Sequence, residues 1–184
     1  MTEEEALTIK VPPEKEPTTW LISDPHFDHR NIIKYCSRPF NSLEEMNNLI
    51  LTNWKANIRE DDLVFFLGDM AYGRDSRSPR WWLTQLPGVK VYLKGSHDHG
   101  IRPTSVLPGV HIVVPYIILE TDTRDFLLIH VPENTPEWYE GWVVHGHHHN
   151  YNPYMDKTKR WVNISVERTN YGPINVTKLL EDTN

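Results

Sequence analysis

Short apolar runs recur along the chain, and several end in a cluster of polar residues rather than in plain turn residues. Thr18-Thr19-Trp20-Leu21-Ile22-Ser23 reads as a buried strand that delivers Asp24, Pro25 and His26 to its carboxyl end. Leu63-Val64-Phe65-Phe66-Leu67 reads the same way and ends in Gly68-Asp69, and Val89-Lys90-Val91-Tyr92-Leu93 runs into Gly95-Ser96-His97-Asp98. Between the first two runs the period lengthens to that of a helix. Residues 31–35 predict a short one, and Ser42 opens a longer one ending near Asn57. There Ser42 serves as cap, Glu45 completes a capping box, and Leu43, Met46, Leu49, Ile50 and Trp54 share a face. A further short helix is expected over 79–85. Strand, helix, strand order predicts parallel strands, and the carboxyl ends of such strands are where open α/β sheets keep their chemistry.

After Pro108-Gly109 the pattern changes to closely spaced strands at 110–116, 117–120, 126–130, 142–145 and 161–166. They predict a second, mostly β sheet, with a hairpin turn at Thr121-Asp122-Thr123-Arg124. Residues 1–17 are acidic and proline-rich, which predicts a flexible arm in which 6–11 is the one stretch able to add an edge strand. The organisation expected is therefore an arm, 1–17, and a single domain, 18–184. No repeat of fixed spacing is present.

Composition narrows the function classes. The 184 residues, 39% hydrophobic, suffice for one core, and a net charge of −6 argues against an extended basic surface for duplex nucleic acid. The single Cys36 excludes an internal disulfide and a cysteine-rich zinc site. No apolar run approaches the ~20 residues of a membrane span. Residues 1–17 lack the basic and apolar regions of a secretory signal. A cytoplasmic protein without membrane contact is expected, and nothing bears on its oligomeric state.

Four of the ten histidines crowd into five positions in Val143-Val144-His145-Gly146-His147-His148-His149-Asn150. A histidine-rich tract behind a buried strand points to metal. Gly146 is expected to let the backbone turn tightly so that alternate imidazoles converge, with His145 and His148 pointing the other way. His99 and His111 read as surface or core histidines. Five strand ends then present Asp24 with His26, Asp69, His97 with Asp98, His130, and the 145–149 histidines. Mixed carboxylate and imidazole ligands suit manganese, iron, zinc or nickel better than calcium. The donors exceed the needs of one ion, whereas two ions sharing a carboxylate would use them. Such pairs recur in phosphoester hydrolysis, where they acidify water and neutralise charge at phosphorus. Plainer explanations stand beside this one: an Asp after a strand often closes a turn, and a lone His130 at a strand end is as readily a core histidine.

In five ordered blocks, Asp24-Pro25-His26, Gly68-Asp69, Gly95-Ser96-His97-Asp98, His130 and Gly146-His147-His148-His149, the chain resembles the calcineurin-like metallophosphoesterases. The resemblance spans about residues 18–178. His26-Phe27-Asp28-His29-Arg30-Asn31-Ile32-Ile33, Arg38-Pro39-Phe40 and Asn163-Ile164-Ser165-Val166-Glu167 look like the small bacterial and phage members. It implies an α/β fold, a four-layer αββα sandwich of two mixed β-sheets flanked by helices. It also implies a dinuclear centre of two divalent metal ions, manganese first with iron, nickel or zinc as alternatives, and a metal-bound hydroxide nucleophile. Carried over residue by residue, Asp24, His26 and His149 would hold the first metal, Asp69 would bridge, and His130 and His147 would hold the second. Ser96 stands where the family has a second-metal Asn. His97 would stabilise or protonate the leaving group, with Asp98 orienting it.

Substrate contacts are sought in loops after these blocks, at His29, Asn31, Arg38, Tyr72, Arg74 and Arg102, although each taken singly reads more readily as an ordinary surface residue. The expected activity is hydrolysis of a phosphoester, a diester before a monoester, on a small or nucleotide-type substrate. Two alternatives remain. One is a catalytically impaired or dead scaffold of the same fold, against which retention of His97 and every ionisable ligand argues. The other is a zinc hydrolase of metallo-β-lactamase type, whose histidine motif differs at His149 and Asn150.

Overall fold

The computed structural model describes residues 6–98, 109–113 and 115–184. Two mixed sheets face each other. The first has five strands: β2 (Thr19–Ile22), β3 (Leu63–Phe66), β4 (Val89–Leu93), β5 (Val110–Val113) and β11 (Ile174–Asn175), in the order β11-β2-β3-β4-β5. All its pairings are parallel except β11 with β2. The second has six, β1 (Leu7–Lys10), β6 (Tyr116–Glu120), β7 (Asp125–Ile129), β8 (Trp142–His145), β9 (Met155–Asp156) and β10 (Trp161–Asn163), in the order β1-β6-β7-β8-β10-β9. The α/β sandwich is thus as expected.

The continuous apolar runs reflect burial on both faces, with alternate residues assigned to different cores. Leu21, Phe65, Leu67, Val91 and Leu93 point between the sheets, where they meet Ile117, Leu119, Phe126, Leu128, Val144 and Val162. Ile22, Val64, Phe66 and Tyr92 point outward, where helices α1 (Ile32–Tyr35), α2 (Leu43–Asn57) and α3 (Pro79–Gln85) cover them through Ile32, Met46, Ile50, Trp54, Trp82 and Leu83. The outer face of the six-stranded sheet is covered by Trp138 and Tyr139, packed on Leu127, Ile129 and Val143. Helix α4 (Val176–Asp182) adds Val176, Leu179 and Leu180 to the core between the sheets. No helix among the described residues is long and apolar enough to cross a membrane.

Helix α2 begins as expected, with Ser42 Oγ accepting the Glu45 N–H at 3.0 Å. The Glu45 carboxylate reaches back one residue further than a capping box requires, to the Asn41 N–H at 2.8 Å. Two expectations need correction. The strand near 110 joins the first sheet, not the second, because β5 continues the parallel ladder on β4. Nor is the segment before residue 18 wholly a loose arm: among its described residues, β1 pairs in parallel with β6 over Leu7 to Lys10. Val11 follows at 1% exposure with its N–H bonded to Glu120 O. The prolines read as disorder lie outside the strand, Pro13 opening a short 3-10 segment, Pro13–Thr18.

Candidate metal centre

The loops that leave β2 and β3 are zipped together. Asp24 N–H donates to Gly68 O at 3.0 Å, His26 N–H to Asp69 O at 3.1 Å and Phe27 N–H to Met70 O at 2.9 Å. The loop after β4 is fastened to the second of these by Asp98, whose Oδ2 accepts from Asp69 N and Gly95 N and whose Oδ1 accepts from Met70 N. Across the gap, His130 follows β7, and His147 and His149 follow β8. A bridge between Ser23 and Ser165 joins the two sheets at this end.

Asp24, His26, Asp69, His147 and His149 all have left-handed backbone, at φ 58°, 50°, 58°, 66° and 46°. Such conformations cost of order 1–3 kcal/mol each in non-glycine residues and persist where surrounding structure over-determines them, often at functional sites. The loops also approach too closely for side chains. A Cβ on Gly95 would lie 2.2 Å from Asp69 Oδ1, and one on Gly146 would lie 2.2 Å from Asp24 Oδ2. Gly146 therefore serves close approach to Ser23 and Asp24, and it also opens the tight turn read from the sequence, its carbonyl accepting the His148 N–H at 2.7 Å across His147 at φ 66°.

At four of the ligand positions one polar atom is anchored while another is turned inward. Asp24 Oδ2 accepts from His147 N–H at 2.9 Å and Ser165 Oγ at 3.1 Å, leaving Oδ1 3.8 Å from His26 Nε2 and 4.0 Å from His149 Nε2. Asp69 Oδ1 accepts from His97 N–H at 2.7 Å, while Oδ2 lies 3.5 Å from His26 Nε2 and 3.3 Å from His130 Nε2. His130 Nδ1 donates to Leu67 O at 2.7 Å, and His149 Nδ1 meets Glu167 Oε1 at 3.0 Å, so each presents Nε2. These are the contacts that fix metal-binding imidazoles. Among the described residues, Asp24 Oδ1, His26 Nε2 and His130 Nε2 are buried without a hydrogen-bond partner. Ligand atoms of Asp24, His26 and His149 lie within 4.8 Å of one another, as do those of Asp24, Asp69 and His130. Uncompensated buried polar atoms of this kind call for a ligand, and carboxylates with imidazoles fit a divalent cation.

Electrostatics describe the same demand for positive charge. Burial alone pushes the His130 imidazole down, but Asp69 and Asp24 raise it to about 9. Burial likewise opposes protonation of His149, and contacts with Cys36, Glu167 and Asp24 raise it to about 11. Burial favours the neutral acid at Asp69, yet His130 and His26 hold its carboxyl below the usual range. His26 goes the other way: burial pushes it well down against the pull of Asp69, and the neighbouring His149, Arg38 and His29 add to the lowering.

The chain is 36% identical over 171 residues to the uncharacterized protein MJ1445 of Methanocaldococcus jannaschii, a match covering 88% of this chain and 90% of that protein. It belongs to the same family. The gene 66 protein of Mycobacterium phage L5 is 28% identical over 82 residues, 44% of this chain and 39% of the phage protein. The crystal structure of the protein of unknown function AQ665 from Aquifex aeolicus superposes with a TM-score of 0.66 at 26% identity, covering 89% of this chain and 97% of that one. No protein-family model matches the chain.

Within this member of the family, the structure brings Asp24, His26, Asp69, His130 and His149 together as read from the sequence. His147 stands at the margin, its ring 5.2 Å from His130 and its Nδ1 3.4 Å from Ser96 Oγ. Ser96 is exposed at that edge. His97 lies beside the cluster, its ring 5.5 Å from His26. His145 and His148 do face away: their rings pair at 5.2 Å, and His148 meets Glu133 at 2.9 Å.

Two assignments fail. Asp98 does not orient His97, because its oxygens are taken up by the backbone N–H groups of Asp69, Met70 and Gly95. Arg38 is not a substrate contact, because its buried guanidinium binds Glu167 at 2.8 Å, Pro25 O at 2.8 Å and Asp24 O at 2.9 Å. Of the remaining substrate candidates, His29 and Asn31 line a cavity of about 530 Å3, Tyr72 lines a second of about 330 Å3, and Arg74 lines both. Buried His29 also contacts the ring of His26, Nδ1 to Nδ1 at 3.4 Å. Arg102 and His99 lie outside the described residues. Glu167 and Ser165, which hold His149 and Asp24, were not read as part of the site. Their one signal was the block Asn163 to Glu167 in the resemblance.

Proposed function

We propose that the chain is a metal-dependent phosphoester hydrolase of the calcineurin-like type, acting on diesters in preference to monoesters. The observation that carries this reading is the convergence of Asp24 Oδ1, His26 Nε2 and His130 Nε2, three buried atoms without partners among the described residues, in two ligand groups that share Asp24. Asp24, His26 and His149 would hold one cation and Asp69, His130 and His147 the other, with Asp69 Oδ2 placed between His26 and His130. Two divalent ions, manganese first and iron, nickel or zinc as alternatives, would acidify water and neutralise charge at phosphorus.

The chain's own residues supply the rest. The Asp69 carboxylate is kept ionised by His130 and His26 and oriented by the His97 N–H. The His97 imidazole, half-buried with its ring 5.5 Å from that of His26, would donate a proton to the departing alcohol oxygen. The cavities beyond it receive the substrate, a small or nucleotide-type phosphoester. The cytoplasm is the compartment we propose, for a chain whose single cysteine leaves it without the internal disulfides common in secreted proteins.

Metal analysis of protein purified without chelator, with hydrolysis of bis(p-nitrophenyl) phosphate and p-nitrophenyl phosphate under added manganese, nickel, zinc and magnesium, tests the proposal. Asp69→Asn is expected to abolish diester hydrolysis together with bound metal. His97→Ala is expected to lower kcat by about 100-fold to 10,000-fold at unchanged metal content. Full diester turnover in the presence of chelator refutes the reading, and metal loss in His97→Ala refutes the role given to that residue.

A further inference from the structure

Tyr72 stands between the candidate metal centre and solvent. Its ring centroid lies 4.3 Å from that of His97 at an interplanar angle of 54°, and 4.9 Å from that of His29 at 67°. Both histidines lean on His26, at 5.5 and 5.3 Å. Tyr72 is nevertheless 42% exposed. The other aromatic rings around it do different work: Phe27 and Trp82 stack on each other in the core, and the Trp82 indole N–H is bound to Asp28. Tyr72 fills no core position, and its backing by two site histidines leaves part of the ring turned to the space outside.

That space is a cavity of about 330 Å3 lined by Ala71, Tyr72, Gly73, Arg74, Ser76, Pro79 and His97. Its size is at the low end of small-ligand sites. His97 is the residue assigned to the leaving group, so a cavity that begins at His97 is where a leaving group would extend. Gly73 and Arg74 also line the neighbouring cavity of about 530 Å3, which places the exposed residue Arg74 between the two.

We propose that Tyr72 is a specificity-determining residue, selecting phosphoesters whose leaving group carries a planar heteroaromatic ring that stacks on it inside this cavity, with Arg74 beside it. The inference rests on the phosphoester hydrolase reading and adds to it the class of leaving group. An exposed ring face is a sequence-tolerant platform for bases, and one such stack contributes about 5-fold to 100-fold in affinity.

The test is calorimetric binding to manganese-loaded protein of two non-hydrolysable diester analogues, the methyl esters of the phosphonate of AMP and of the matching ribose compound without the base. The AMP analogue is expected to bind about 5-fold to 100-fold more tightly. Tyr72→Phe should keep that ratio, Tyr72→Trp should enlarge it and Tyr72→Ala should bring it near one. Equal affinities in the unmodified protein, or a ratio that survives Tyr72→Ala, overturn the subsite while leaving the hydrolase reading standing. Binding of neither compound to metal-loaded protein overturns both. If Tyr72→Ala does not fold, the Phe and Trp variants decide, and identical ratios in Tyr, Phe and Trp forms refute the proposal.

Discussion

Ser96 is where the chain departs from the pattern it resembles. A Ser hydroxyl is shorter than an Asn side chain and is a weaker neutral donor to a metal. In the fold Ser96 is exposed and its Oγ is 3.4 Å from His147 Nδ1, so it touches a proposed ligand at the margin of the second ion's position. Ser96→Asn is expected to tighten that second site by about 10-fold to 100-fold, the range over which supporting groups act on metal affinity. Titration of manganese into both proteins by calorimetry decides, and identical stoichiometry and affinity would remove the argument. Residues of the opposite kind are Arg38, read from the sequence as a candidate substrate contact, and Glu167, which stood there only within the resemblance. Their charges are buried against one another, and together they hold the Asp24 carbonyl and the His149 ring. Burial pushes the Glu167 carboxyl up, but His149 and Arg38 overcome it and bring it down to about 2.

Among the elements, the strands and helices between residues 19 and 93 were legible because their apolar runs are bounded by strong signals, the Ser42 cap among them. The runs beyond residue 110 were legible as strands but not as members of a particular sheet, since pairing is decided by contacts far away in sequence. β1 was the harder case, a four-residue edge strand, Leu7–Lys10, followed by a proline-rich stretch. Its four registered pairs with β6 and the burial of Val11 predict a cost on removal. Burying one Val side chain contributes about 1.5–3 kcal/mol, so deletion of residues 1–11 is expected to lower Tm by about 3–12 °C. Thermal denaturation followed by circular dichroism checks this, and an unchanged Tm would show that β1 adds nothing to stability.

At the scale of the molecule, the candidate centre lies across the two sheets. Asp24, His26 and Asp69 come from the five-stranded sheet, whereas His130, His147 and His149 come from the six-stranded one. An ion held by both is a tie between the sheets and binds the folded state alone. Manganese at about 100-fold over its Kd should therefore stabilise the protein by about 2.7 kcal/mol, a rise in Tm of about 5–10 °C. Differential scanning calorimetry with and without metal tests this. A shift that survives Asp24→Asn and Asp69→Asn together would place the bound ion elsewhere.

The sequence by itself determined the positions of most elements and the set of candidate donors, because both are local facts. Periodicity marks buried strands, and Asp and His stand directly after them. It could not tell Asp98 from Asp69, each an Asp in a loop after a strand. The difference lies in which N–H groups reach each carboxylate: backbone donors from Gly95, Asp69 and Met70 saturate Asp98, while one oxygen of Asp69 is left facing two imidazoles. The same holds for Arg38, and for Gly146, whose missing Cβ matters because Asp24, more than a hundred residues earlier, lies against it. Only tertiary structure decides such roles, because a side chain's free donors and acceptors are those that remain after distant segments have packed around it.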